Sequence, residues 1–192
     1  MTSWWWVRHG PTHAKAFTGV TDLPADLSDT AALQRLEHHL PDDSLVVSSD
    51  LIRAMTTADA IQADRPRLPN NTEIREMNFG EWEARTFAEV NASHPELSRK
   101  FWTEPGDIAP PNGESWNMTA QRVGAEVDRM NSIYPDQNII AVAHLGVILT
   151  QLQRAADVPP ASAMSFKIDN LSVTQLEFSG GKWQVHSINH KP

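Results

Sequence analysis

The residues of this chain that could do chemistry stand at the ends of apolar runs. The tryptophans of TSWWWVRHGPTH, residues 2–13, run directly into Arg8 and His9. The run IIAVA ends in His144, followed by Gly146, and VVSSDLI leads within a helical turn to Arg53. A continuous apolar run suits a strand covered on both faces, whereas arginine and histidine cannot follow it inside without partners. In an open parallel sheet the ligand crevice lies at the carboxyl ends of the strands, so these runs would deliver Arg8, His9, Arg53 and His144 to one edge. Such a cluster suits a dianion such as a phosphoryl group, because guanidinium forks match its oxygens and backbone amides at the following helix starts add donors. A neutral imidazole among those cations can act as a nucleophile near neutral pH. Phosphoryl transfer also needs an acid for the leaving oxygen, and EIREMNFGEWE offers Glu73, Glu76, Glu81 and Glu83.

The elements that would position these groups follow from periodicity. LSDTAALQRLEHHL carries Leu33, Leu36 and Leu40 at helical spacing, with Ser28 or Asp29 available as a cap. SLVVSSD reads as a short buried strand, and DLIRAMTTADAIQAD as a helix with Leu51, Met55, Ala58 and Ile61 on one stripe. Prolines at 66, 69, 95, 105, 110 and 111 predict an irregular middle that covers a core rather than forming one. From Glu114 onward, Trp116, Ala120, Val123, Val127, Met130 and Tyr134 recur in steps of four and three, a long amphipathic helix. NIIAVAH is another buried strand, GVILTQLQRAA another helix, and SVTQLEF, SGGK and WQVHSI form a hairpin with a glycine turn. Strands alternating with helices predict an α/β fold: a three-layer sandwich with a mostly parallel central sheet, an antiparallel edge and helices on both faces.

Composition narrows the partners. The 192 residues predict a single domain over 1–192, with an irregular cap-like insertion at about 77–113. Hydrophobic residues make up 40% and charged residues 21%, a globular balance. A net charge of -8 argues against a nucleic-acid partner or an anionic membrane bound over a broad surface, so an anionic ligand must meet a local concentration of positive charge. The longest apolar run, IIAVAHLGVIL, is too short to span a bilayer. The first residues lack the pattern of a signal peptide, and a chain with 0 cysteines fits the cytoplasm. Sequons at Asn91, Asn117 and Asn170 read as chance, and exposed edges leave a homodimer open.

Taken in order, RHGPT at 8–12, SSDLIRAMTTA at 48–58, EMNFGEWE at 76–83, PNGESW at 111–116 and AVAHLGV at 141–147 resemble the successive motifs of the histidine phosphatase superfamily, the phosphoglycerate mutase-like family. The resemblance implies that His9 is a nucleophile that becomes phosphohistidine. It implies that Arg8, Arg53 and His144 hold the phosphoryl oxygens, and that Glu76 protonates the leaving alcohol and then activates water. It also implies substrate contacts from Thr12, Thr18 and Gly19, the last two within FTGVTDLP at 17–24, and neither metal nor organic cofactor. Pro11 and Leu145 depart from the family's usual residues without removing a charge. In the glycolytic mutases arginine follows the acid and the aromatic is tyrosine, whereas this chain has Met77 and Phe79. The expected activity is therefore hydrolysis of a small phosphomonoester, a phosphorylated metabolite. Phosphoglycerate mutase-type transfer and a catalytically silent phospholigand-binding module are the alternatives.

Bland readings stand beside these. Lys15, Arg85, Arg99 and Lys100 could meet a second anionic group or simply be solvated, and Trp82, Trp102 or Trp116 could line a substrate entrance or belong to the core. His13 stands four residues after His9, and His38-His39 could add metal ligands. Pro11 interrupts any helix from His9, however, and no HExxH or Asp-rich frame is present.

Overall fold

The computed structural model describes all 192 residues. In chain order it forms β1 (Thr2–Arg8), α1 (Thr30–His39), β2 (Leu45–Ser48), α2 (Ile52–Ile61), α3 (Phe87–Ser93) and α4 (Pro95–Thr103). There follow α5 (Trp116–Ile133), β3 (Asn138–Ala143), α6 (Leu145–Ala156), α7 (Pro160–Ala163), β4 (Val173–Ser179) and β5 (Lys182–His190). The strands make one 5-stranded sheet in the order β2-β3-β1-β4-β5. β2, β3 and β1 are parallel, and β4 and β5 add the antiparallel edge. The expected hairpin is that edge, turning at Gly180 and Gly181, both of positive φ. No helix is long and apolar enough to cross a membrane.

The tryptophan run shows why this sheet is covered on both sides. Successive strand residues point to opposite faces. Trp4 and Trp6 therefore share one face, fully buried and stacked with centroids 5.1 Å apart, together with Ile139, Ala141, Ala143 and Leu176 beneath residues of α5 and α6. Trp5 points the other way, half-buried, with Val7, Val46, Ile140 and Val142 against α1 and α2. Asp29 caps α1 by accepting from the Ala32 N–H at 3.0 Å, and Ser115 caps α5 through the Met118 N–H at 3.1 Å.

The middle of the chain is more regular than its prolines suggest. α3 begins with a capping box, in which the Glu89 N–H donates to the Thr86 hydroxyl at 3.3 Å and the Thr86 N–H to the Glu89 carboxylate at 2.7 Å. Pro95 occupies the first turn of α4, where its missing N–H costs nothing, so it starts a helix instead of breaking one.

Candidate active site

Register brings the two histidines together. Arg8 of β1 lies opposite Ala143 of β3, and the His9 N–H extends the ladder by donating to the Ala143 carbonyl at 3.1 Å. His9 and His144 therefore leave the sheet at the same level, with ring centroids 5.1 Å apart. β2 ends beside them, and the following helix α2 carries Arg53 inward, where it is 1% exposed. Its Nε donates to His9 Nε2 at 3.3 Å, while its Nη1 and Nη2 donate to the carbonyls of Thr21 at 2.8 Å and Gly19 at 2.6 Å. Arg8 donates through Nη1 to the Ile168 carbonyl at 2.6 Å, and its Nε is buried without a protein partner.

The tautomer of His9 follows from its neighbours. Nδ1 lies 2.6 Å from the Gly10 carbonyl, which can only accept, so Nδ1 carries the proton and Nε2 presents its lone pair to Arg53. Burial, with Arg53 and Arg8 adding repulsion against the Gly10 carbonyl's opposing pull, lowers the His9 pKa to about 3. Burial likewise holds His144 well below the usual imidazole range, with His9, Arg53 and Arg8 adding to it. His144 is fully buried, and neither ring nitrogen has a protein partner. A buried polar group without a partner is costly. Two neutral imidazoles and two guanidiniums thus converge, and the ring of His144 and the Nε of Arg8 keep unmet hydrogen-bonding capacity.

Of the four carboxylates considered from sequence, Glu76 is the one buried at this cluster, at 8% exposure. Its Oε2 accepts from the Gly146 N–H at 3.1 Å and its Oε1 from the Met77 N–H at 2.9 Å. Burial raises its pKa against the pull of those two amides and of Arg53 and Arg8. A Cβ at residue 146 would lie 2.5 Å from Oε1, so glycine is what lets α6 approach the acid. Glu83 has a different task. Its carboxylate accepts from the N–H groups of Gly19 at 3.2 Å, Val20 at 3.0 Å, Thr21 at 3.1 Å and Phe79 at 2.9 Å, and from the Thr21 hydroxyl. It thereby fixes the two carbonyls that hold Arg53. Glu73 is exposed, and Glu81, also exposed, accepts from Asn112 at 2.9 Å.

The remaining residues singled out in the sequence divide. Gly19 is buried and reaches the cluster through Arg53. The hydroxyls of Thr12 and Thr18 bond within their own loop, to the Ala14 N–H at 3.5 Å and the Ala16 carbonyl at 3.1 Å. His13 pairs with Asp26 at 2.8 Å, and His39 lies against His190 with centroids 4.5 Å apart, so these histidines are dispersed. Lys15, Arg99 and Lys100 are exposed, and Arg85 is tied to the Glu89 carbonyl and Ser93 hydroxyl of α3. Trp82 is wholly core, whereas Trp102 and Trp116 line a cavity that Glu76 also lines. Two supports carried no sequence signal for this role: Thr57, whose hydroxyl accepts from the Gly10 N–H at 2.9 Å, and Asn170, whose amide donates to the His9 carbonyl at 2.8 Å.

Known proteins resemble this chain over nearly its whole length. The model of the histidine phosphatase superfamily (branch 1) matches residues 4–191. The adenosylcobalamin/alpha-ribazole phosphatase of Salmonella typhimurium is 30% identical over 97% of this chain and 96% of its own length. The glucosyl-3-phosphoglycerate phosphatase of Mycolicibacterium vanbaalenii is 34% identical over 74% of this chain and 68% of its own. Among solved structures, Bacillus stearothermophilus YhfR superposes with a TM-score of 0.91 at 25% identity, covering 99% of this chain and 98% of that one.

Proposed function

The chain belongs to the histidine phosphatase superfamily, and from that premise we propose that it hydrolyses small phosphomonoesters through a phosphohistidine intermediate on His9. One observation carries the reading: the unprotonated Nε2 of His9 accepts from Arg53 Nε at 3.3 Å and lies beside the partnerless ring of His144. In this reading Arg8, Arg53 and His144 supply the donors that a phosphoryl group needs on its non-bridging oxygens. They strengthen as charge spreads over those oxygens in the transition state.

The lone pair of His9 Nε2 attacks phosphorus, the bond to the leaving oxygen breaks, and Glu76 gives that oxygen a proton. The resulting Glu76 carboxylate takes a proton from water, whose oxygen attacks phosphorus as the P–N bond breaks. Phosphate leaves, and both residues return to their starting states. Burial tunes each group for its part, holding the nucleophile unprotonated at neutral pH and raising the pKa of the acid. We further place α3, α4 and the loops over about 77–113 as a cap on one domain, with Thr12, Thr18 and Gly19 on the adjoining loop that Glu83 anchors.

Initial rates of inorganic phosphate release from a panel of phosphomonoesters test the reading. The panel includes 3-phosphoglycerate with and without its bisphosphate primer. Release without isomerisation is the expected result, and isomerisation of 3-phosphoglycerate would establish a mutase instead.

A further inference from the structure

The acid that protonates the leaving oxygen also marks where the rest of the substrate must go. Glu76 and Gly146 line a cavity of about 160 Å³ whose walls also include Phe79, Phe101, Trp102, Ile108, Leu145 and Met164. Glu76 is the one charged residue lining it, and no lysine, arginine or histidine does so. The aromatic wall is braced: Trp102 stacks on Phe17 at 6.0 Å and meets the edge of Phe101 at 4.9 Å, and Phe17 in turn packs on Phe79 at 5.1 Å.

Building on the phosphatase reading, we infer that this cavity receives the alcohol portion of the substrate, and that the preferred substrates are phosphomonoesters of apolar alcohols bearing a single aromatic or alicyclic ring and no second anion. The direction follows from the chemistry. The phosphoryl group lies among the cations, the leaving oxygen lies at Glu76, and the first carbon beyond that oxygen enters the cavity. The size follows from volume, since an apolar cavity of roughly 150 Å³ accommodates benzene. The exclusion follows from charge, because a carboxylate or second phosphate placed there would be desolvated without a cation. A glycerate carboxylate would meet that cost, so the preference differs from the substrate named by the mycobacterial relative.

Phosphate release from benzyl phosphate, ethyl phosphate and 3-phosphoglycerate tests the assignment, because benzyl alcohol and ethanol are leaving groups of similar acidity. The expected kcat/KM for benzyl phosphate exceeds that for ethyl phosphate by about tenfold or more, the effect of burying a ring. Trp102→Ala and Ile108→Asp should each shrink that ratio. A wild-type ratio near one, or faster 3-phosphoglycerate, overturns the cavity assignment while leaving the phosphatase reading intact. A ratio unchanged in both folded variants also overturns it. Absence of release from every ester overturns the phosphatase reading and this inference with it. The wild-type ratio decides without recourse to either variant's folding.

Discussion

His9 and Glu76 lie in the same buried cluster, yet burial serves them oppositely, lowering the pKa of the imidazole and raising that of the carboxyl. Glu76→Gln keeps the shape and removes the transferable proton, so turnover of alkyl phosphates should fall about 10²–10⁴-fold. p-Nitrophenyl phosphate, whose leaving group needs no proton, should lose far less. Equal losses on both substrates would show that Glu76 is not the acid. Wild-type turnover of alkyl phosphates should also decline as pH rises through the elevated Glu76 pKa, an alkaline limb that Glu76→Gln should lack. Several of these residues were legible from type and spacing alone. His9, Arg53 and His144 each follow an apolar run, and a run that must be buried fixes where its polar neighbour emerges. Glu76 was legible only through its frame, because Glu73, Glu81 and Glu83 are equally acidic in sequence. What separates them is burial against Gly146 and engagement with the segment 19–21, contacts made across 60 residues or more of chain.

Elements place these groups by register and by anchoring. The level ends of β1 and β3 set the spacing between the histidines, while the segment 19–21 grips Arg53 and is itself held by Glu83. Glu83→Ala should release those carbonyls and lower kcat/KM by roughly tenfold to a hundredfold, as small misplacements of a transition-state donor do. Its far-UV circular dichroism should stay unchanged, and kcat/KM within about twofold of wild type would refute the anchoring role. Trp4 and Trp6 form the floor beneath the strand ends. Trp6→Ala should cost about 3–5 kcal/mol of stability in urea unfolding, as large-to-small changes in a packed core do, and a loss under about 1 kcal/mol would mean that the face is loosely packed. The strands, the main helices and the hairpin were readable because apolar periodicity is a direct consequence of burial. α3 and α4 were not, because prolines dominate the local pattern and can mark either the end of a helix or its first turn. The deciding information, the Thr86–Glu89 box, is a pair of side-chain bonds rather than a periodicity.

For the molecule as a whole, a net charge of -8 surrounds a site built on a buried guanidinium, Arg53, a half-buried one, Arg8, and the buried acid Glu76. That arrangement ties stability to pH. The folded pKa of His9 is lowered to about 3 from the ordinary 6.5, so below pH 6.5 the unfolded chain takes up a proton that the folded chain refuses. The contribution of His9 is complete above that value and falls as pH drops toward 3, by up to about 5 kcal/mol. His144 acts in the same direction. Glu76, raised instead, opposes them: its contribution is complete below 4.5 and is lost as pH rises through its folded value. Urea unfolding should therefore show His9→Asn losing less stability than wild type between pH 7.5 and pH 5, and identical losses would mean that His9 is protonated in the folded protein. The central claim is that a covalent bond forms between phosphorus and one imidazole nitrogen. Alkaline quench during turnover, followed by mass spectrometry of the peptides, tests it most directly. Phosphate on His9 is the expected result, with neither label nor turnover in a His9→Ala variant that keeps its fold. Label on another residue, or turnover surviving in that variant, would contradict it.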